Sequence, residues 1–176
     1  MSTDNRIEIN DCEDDTVTFT TGGGALGTNT LTGNLYEGAA SVQARHTNAY
    51  EETYTTTDSG GTTLNLDLTD STIYIMVKDN GLDLASNAGA MVYLGDGTNN
   101  IGYTAGGSDA LGILVRRQFY SFKVDGNQAN ANPGTADQDH HVFGGTEANL
   151  TFAAVSEVGY GSLHNAKAQG NVANVW

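Results

Sequence analysis

Apolar and polar residues alternate along several short segments of the chain, with the two-residue period of a β-strand. Leu64, Leu66 and Leu68 are separated by polar residues, which predicts a half-buried antiparallel strand with the leucines on one face. The segment from Ile73 to Val77 is apolar on both faces, so we expect a central strand that is covered on both sides or faces a partner. Few windows keep the helical period of about 3.6 residues, and the pattern therefore predicts an all-β protein.

The strongest single signal is a β-hairpin in the middle of the chain. Residues 90–94 and 100–104 are joined by the turn Gly95-Asp96-Gly97-Thr98-Asn99. An Asp-Gly pair supplies the positive φ values that a tight turn needs. Other predicted strands cover residues 17–19, 41–45, 119–124 and 150–158, and a last strand begins at Val172. Residues 20–33 and 127–145 are rich in polar and turn-forming residues and are predicted to be long surface loops.

These strands and their polar connections predict a two-sheet antiparallel jelly-roll β-sandwich. The chain has 176 residues, including 23 Gly and a single Pro, which suits one domain of many short strands. We expect this domain to span residues 1–176, with residues 1–12 as an N-terminal arm or a first strand. Cys12 is the only cysteine, so no intramolecular disulfide can form, and its expected role is a small residue in a first strand.

The charge of the chain excludes some partners. The formal net charge of −14, from 7 Lys+Arg against 21 Asp+Glu, repels nucleic acid, so no nucleic-acid partner is expected. Such acidity keeps a glycine-rich β protein soluble and discourages edge-to-edge pairing, or else it supports cation binding. No apolar stretch reaches the length of a signal-peptide core or a membrane span, so we expect neither a secretion signal nor membrane insertion.

Several short motifs occur in the order found in a known superfamily. They are Asp11-Cys12, Tyr36-Glu37-Gly38-Ala39-Ala40-Ser41-Val42, the central pair 64–77, the hairpin 91–103 with its turn Leu94-Gly95-Asp96, and the strand 119–125. In this order the chain resembles the concanavalin A-like lectin/glucanase superfamily, including the laminin-G-like jelly rolls of many bacteriophage virion proteins. The resemblance implies a lectin-like sandwich and a place in a virion. Because one scaffold hosts many functions, the function depends on the side chains that it carries.

Catalysis of the glucanase type requires two carboxylates close together on one face, typically in the pattern Glu-x-Asp-x-x-Glu. The chain contains no such spacing. Glu51 and Glu52 are adjacent, so a strand points them to opposite faces, and we interpret both as solvated surface. The cluster from Asp137 to His141 has metal-ligand chemistry, but adjacent histidines rarely converge on one ion, so we interpret it as a polar loop. We therefore expect a protein without enzymatic activity.

Acidic turns that flank neighbouring strands are candidate calcium ligands, and calcium is the one cofactor that the pattern suggests. The candidate ligands are Asp79, Asn80, Asp96 and Asn99. Turn geometry alone also selects Asp and Asn at such positions, so both explanations stay open.

The same hairpin offers a candidate sugar site. Tyr103 supplies an aromatic platform, and the hydrogen-bonding side chains beside it are Asp96, Asn99 and Asn100.

Two functions follow as hypotheses. The first is a non-enzymatic structural protein of a bacteriophage particle, a capsid-decorating, fibre or tail subunit that assembles with other copies of itself and with other virion proteins. Its expected contact surfaces are the open face at Tyr74 and Met76 and an incomplete C-terminal edge from Val172 to Trp176. The alternative is a carbohydrate-binding module that recognises a cell-surface glycan for host attachment, on the virion exterior or in the extracellular space.

Overall fold

A computed structural model of the chain describes residues 7–13, 19–21, 25–31, 35, 38–46, 50–69, 71–79, 89–103, 119–125, 140–145, 150–163 and 171–175. Nearly all regular structure in these residues is β-strand. The strands are β1 (Phe19–Thr21), β2 (Ala25–Asn29), β3 (Ser41–His46), β4 (Tyr50–Thr55), β5 (Thr72–Asp79), β6 (Gly89–Gly95), β7 (Asn100–Tyr103), β8 (Phe119–Asp125), β9 (His140–Gly144), β10 (Glu157–Leu163) and β11 (Asn171–Val175). A 3₁₀ turn, Phe152–Ala154, precedes β10. Within the described part of the chain, no helix has the length and apolar character needed to cross a membrane.

The strands form two antiparallel sheets. The first sheet has six strands in the order β1-β4-β10-β6-β7-β9, and the second has five in the order β2-β3-β11-β5-β8. Buried side chains from both sheets belong to one hydrophobic cluster, so the sheets pack face to face. The predicted all-β, two-sheet antiparallel sandwich is therefore confirmed.

The core lies between the sheets and also includes the segments that connect them. The first sheet contributes Phe19, Val92, Leu94, Ile101, Val158 and Tyr160, and the second contributes Val42 and Ile73. Residues outside the strands contribute Cys12, Leu64, Leu68, Leu150, Phe152 and Val155. Each large apolar side chain that is fully buried stabilises the fold by about 1.5–3 kcal/mol. This cluster is the main source of stability in a chain that has no disulfide.

The hairpin prediction is confirmed, because β6 and β7 pair with each other, with Val92 opposite Tyr103 at one end and Gly95 opposite Asn100 at the other. Gly97, in the turn between them, has a φ of 84°, a conformation that favours glycine. The prediction of a central strand at Ile73 to Val77 is also confirmed, since β5 lies between β11 and β8.

The predicted strand at Leu64 to Leu68 is wrong as secondary structure, although the alternation correctly identified buried leucines. Leu64 and Leu68 are buried, but Leu66 joins only an isolated bridge to Val155. The Leu68 N–H donates to the Phe152 carbonyl at 2.8 Å. The segment therefore bonds to the 3₁₀ turn and to Val155 just after it, and it does not form a strand ladder. The strand expected over 150–158 begins only at Glu157.

Three strands lie where loops or no elements were expected. β2 lies within the predicted loop 20–33, β9 lies within the predicted loop 127–145, and β4 was not predicted. β2 and β9 are the edge strands at one end of each sheet, where polar and glycine residues are tolerated because one side of the strand faces away from the sheet. Cys12 is buried but lies in a bend with a φ of 56°, not in a first strand.

The expected open C-terminal edge is also wrong. β11 lies between β3 and β5, and its residues from Ala173 to Val175 pair on both sides. Their backbone groups are therefore used within the sheet, whereas Trp176 lies outside the described residues.

Candidate functional site

One face of the first sheet carries a cluster of aromatic, carboxylate and amide side chains. Successive residues of a strand point to opposite faces, so the neighbours of the buried core residues Thr53, Leu94 and Val158 face away from the core. The outward-facing side chains are Glu52 and Tyr54 on β4, Glu157 on β10, Tyr93 on β6 and Asn100 on β7. We call this cluster the tyrosine–glutamate face.

Two tyrosine rings of this face stack above a glycine. Gly159 pairs with Tyr54 on one side and with Tyr93 on the other, so these two backbones are two strand spacings apart, about 9.5 Å. Their ring centroids are nevertheless only 4.9 Å apart, at an interplanar angle of 23°. The rings can meet because Gly159 has no side chain between them. Tyr93 is fully buried and Tyr54 is partly exposed, so Tyr93 supports the ring that solvent reaches.

Glu157 is held beside this stack by hydrogen bonds to one of its oxygens. The Tyr93 hydroxyl donates to Glu157 Oε2 at 2.9 Å. With the Asn100 amide oriented to satisfy its neighbours, its nitrogen donates to the same oxygen at 3.1 Å, and its Oδ1 lies 3.1 Å from the Tyr93 hydroxyl. A Cβ at Gly95 would overlap Glu157 Oε2, so glycine is needed there. Within the described part of the chain, Glu157 Oε1 accepts no hydrogen bond.

The face is electrostatically negative. Burial raises the pKa of Glu52, and the charges of Glu51 and Glu157 raise it further. A backbone hydrogen bond lowers the pKa, but the net shift is upward. Burial also raises the pKa of Tyr54 and of Tyr93, and the Glu157 charge adds to both shifts. Both hydroxyls therefore stay protonated near neutral pH. The Tyr93 hydroxyl uses its hydrogen for Glu157 Oε2, and the Tyr54 hydroxyl keeps a hydrogen to donate.

Asp96 organises the turn beside this face. Its Oδ1 accepts the N–H groups of Thr98 at 3.0 Å and Asn99 at 2.8 Å, and the Asn99 amide nitrogen lies 3.2 Å from Oδ2. Oδ2 also accepts the Thr151 N–H at 2.9 Å, across 55 residues of sequence. Burial alone would raise the Asp96 pKa, but the hydrogen bonds from Asn99, Thr151 and Thr98 outweigh it and lower the pKa. Asp96 thus joins the β6–β7 turn to the segment that leads into β10.

Only part of the predicted calcium set comes together. Asp96 and Asn99 are in contact, but Asp79 ends β5 in the other sheet and Asn80 lies outside the described residues. The oxygens of Asp96 already accept hydrogen bonds from nitrogen donors, which is the arrangement expected of a turn residue. Among the described residues, no three His, Cys, Asp or Glu side chains are grouped so that they could hold a metal ion. Asp96 and Asn99 are arranged as turn residues, and calcium binding by the predicted set stays a prediction.

The predicted sugar-binding residues are also divided. Asn100 belongs to the tyrosine–glutamate face, and Asp96 and Asn99 shape the turn next to it. Tyr103 lies three residues after Asn100 in β7, where it pairs with Val92. Its side chain lies outside the described part of the chain.

Sequence reasoning missed four members of the face, Glu52, Tyr54, Tyr93 and Glu157. They come from three strands that are distant in sequence, and the glycines of the segment EVGYGSL weaken its strand signal. The alternation of glycine with larger residues in that segment could have indicated a strand with one side open to neighbouring side chains. Glu51 and Glu52 do point to opposite faces, but Glu51 is only 1% exposed, so the expectation of a solvated pair is wrong for Glu51.

Comparisons with known proteins leave the family open. No protein-family model and no curated protein matches the chain. Among solved structures, an exo-beta-agarase is similar with a TM-score of 0.48 and 12% sequence identity, over 93% of this chain and 23% of that chain. The chain therefore spans about a quarter of the length of that agarase chain. Proteins that are alike only at this level need not share a function.

Proposed function

We propose that this protein is a non-enzymatic carbohydrate-binding domain with a lectin-like jelly-roll fold, and that it binds a saccharide on the tyrosine–glutamate face. The observation that carries the proposal is the partly exposed Tyr54 ring, stacked on buried Tyr93 beside Glu157. A rigid aromatic ring packs against the C–H face of a pyranose. Carboxylate and amide groups beside such a ring bond the sugar hydroxyls and set the orientation of the ligand.

Tyr54 lies between the two outward glutamates along the sheet. Glu52 pairs with Gly161, and Glu157 lies four residues earlier in β10, so their backbones are about 13 Å apart at the rise of a strand. Tyr54 pairs with Gly159, at the position between them. An aromatic ring between two carboxylates is suited to holding a sugar between polar contacts.

The proposal predicts that Tyr54→Ala weakens glycan binding by about tenfold or more, which corresponds to about 1.4 kcal/mol. The wild-type protein is screened on a glycan array, and the dissociation constants of the hits are measured by calorimetry for both proteins. Tyr54→Phe is the matched control, because it keeps the ring and is expected to retain most of the affinity. A wild-type protein that binds no glycan would refute the proposal. Release of reducing ends from a bound glycan would identify a hydrolase instead.

We propose as a second candidate a subunit of a bacteriophage particle that contacts other copies of itself and other virion proteins. The observation in its favour is on the outer face of the second sheet. Ile73 is 4% exposed and belongs to the core, whereas Met76, three residues further along β5, points to the opposite face and is partly exposed. A partly exposed apolar side chain on the outer face of a sheet favours contact with another chain. A glycan-binding domain on the particle exterior is compatible with both candidates.

Replacing both Tyr74 and Met76 by Ser is expected to convert an oligomer to smaller species, because an apolar contact loses its burial. The mass of the wild-type and variant proteins is measured by light scattering. Leu31→Ser, which changes an apolar side chain that is 68% exposed, is the control and should leave the mass unchanged. An oligomer of the same mass in the double variant would exclude this surface.

A further inference from the structure

Charged residues are divided unequally between the two sheets. The strands of the first sheet contain Glu51, Glu52 and Glu157, the neutral histidines His140 and His141 of β9, and no Lys or Arg. The strands of the second sheet contain Arg45, Lys78 and Lys123, together with Asp79 and Asp125. The backbone therefore places the Lys and Arg residues of the described strands in the sheet that does not carry the tyrosine–glutamate face.

The two carboxylates of the tyrosine–glutamate face, Glu52 and Glu157, are partly exposed. Glu157 uses Oε2 for the Tyr93 hydroxyl and the Asn100 amide, which fixes the carboxylate against Gly95. Its Oε1 accepts no hydrogen bond within the described residues, so it is the acceptor that a ligand hydroxyl can use. Glu52 and Glu157 interact electrostatically, and both are partly exposed.

We infer that the tyrosine–glutamate face selects uncharged saccharides and excludes saccharides that carry sulfate or carboxylate groups, an inference that rests on the proposed function. A neutral sugar can stack on Tyr54 and donate a hydroxyl hydrogen to Glu157 Oε1. An anionic group in the same position would face Glu157 and Glu52 in a chain of net charge −14. Like charges at short range in a partly desolvated site repel strongly, and in this arrangement the repulsion acts only against the anionic ligand.

The test uses an array of glucan, galactan and mannan oligosaccharides, each printed with a sulfated counterpart of the same backbone and length. Four proteins are compared at low salt. They are the wild type, the single variant Glu157→Gln, the double variant that combines Glu52→Gln and Glu157→Gln, and the control variant Glu8→Gln. Glu157→Gln keeps the size and one acceptor oxygen of the side chain but removes the charge. Glu8→Gln removes the same charge from an exposed position outside the face.

For the wild type, the sulfated member of a recognised pair is expected to bind at least tenfold more weakly than the neutral member. This ratio should fall several-fold in Glu157→Gln, fall further in the double variant, and stay unchanged in Glu8→Gln. It should also fall in the wild type near 1 M salt, where the Debye length shortens to about 3 Å. A sulfated member that binds the wild type as tightly as the neutral one would overturn the inference while leaving the proposed function intact. Absence of binding to every saccharide would overturn the proposed function and the inference with it.

Discussion

Gly159→Ala is expected to destabilise the protein by about 3 kcal/mol, at the upper end of the usual cost of overpacking. A Cβ at this position would overlap the Thr53 carbonyl oxygen and lie 2.5 Å from Tyr54 Cα. Both contacts are with backbone, so no side-chain rotation relieves them, and β10 must move away from β4. The two strands lie inside the first sheet, so the displacement also separates the stacked tyrosines.

The free energy of unfolding is measured by urea denaturation of the wild type and the variant. Gly27→Ala is the matched control, since a Cβ at Gly27 of β2 meets no atom within 4 Å. That variant is expected to be more stable than the wild type by about 0.5–1 kcal/mol, because alanine loses less backbone entropy on folding. Equal effects of the two substitutions would contradict the close approach described at Gly159.

Asp96→Ala is expected to cost about 2–3 kcal/mol, because it removes a charged acceptor that receives three backbone N–H groups. One of these, from Thr151, ties the β6–β7 turn to the segment before β10. Losing that bond loosens the turn that presents Asn100 to the tyrosine–glutamate face. Asp96→Asn is the control, and it should cost less because it keeps one acceptor oxygen.

The pH dependence of stability tests the same residue. The folded-state pKa of Asp96 is lowered, so the unfolded chain takes up a proton more readily than the folded protein does. The contribution of Asp96 is therefore complete above the unfolded pKa of about 3.9 and is lost as the pH falls through the folded pKa. Urea denaturation at pH 7 and pH 3 should show a smaller loss of stability on acidification in Asp96→Ala than in the wild type. The same loss in both proteins would show that Asp96 is not a source of acid sensitivity.

Local pattern predicted those parts of the fold that depend on neighbouring residues. The hairpin of β6 and β7 was predictable because Asp96 and Gly97 encode its turn and apolar residues flank it. The buried leucines at 64 and 68 were predictable from their two-residue period. Their pairing was not, since Leu66 bonds to Val155 across the chain. Periodicity predicts which side of a segment is buried, but it does not predict which segment pairs with it.

The sequence by itself determined the class of the protein, because alternating short segments, abundant glycine and few windows of helical periodicity favour layered sheets. It also determined that the protein carries a large negative charge and a single cysteine. Only the tertiary structure placed β10 between β4 and β6 and β11 inside the second sheet. That order brings Tyr54 and Tyr93 together over Gly159 and sets Glu157 beside them. Strand order depends on the free energy of the whole packed core and on contacts between residues far apart in sequence, so no local pattern encodes it.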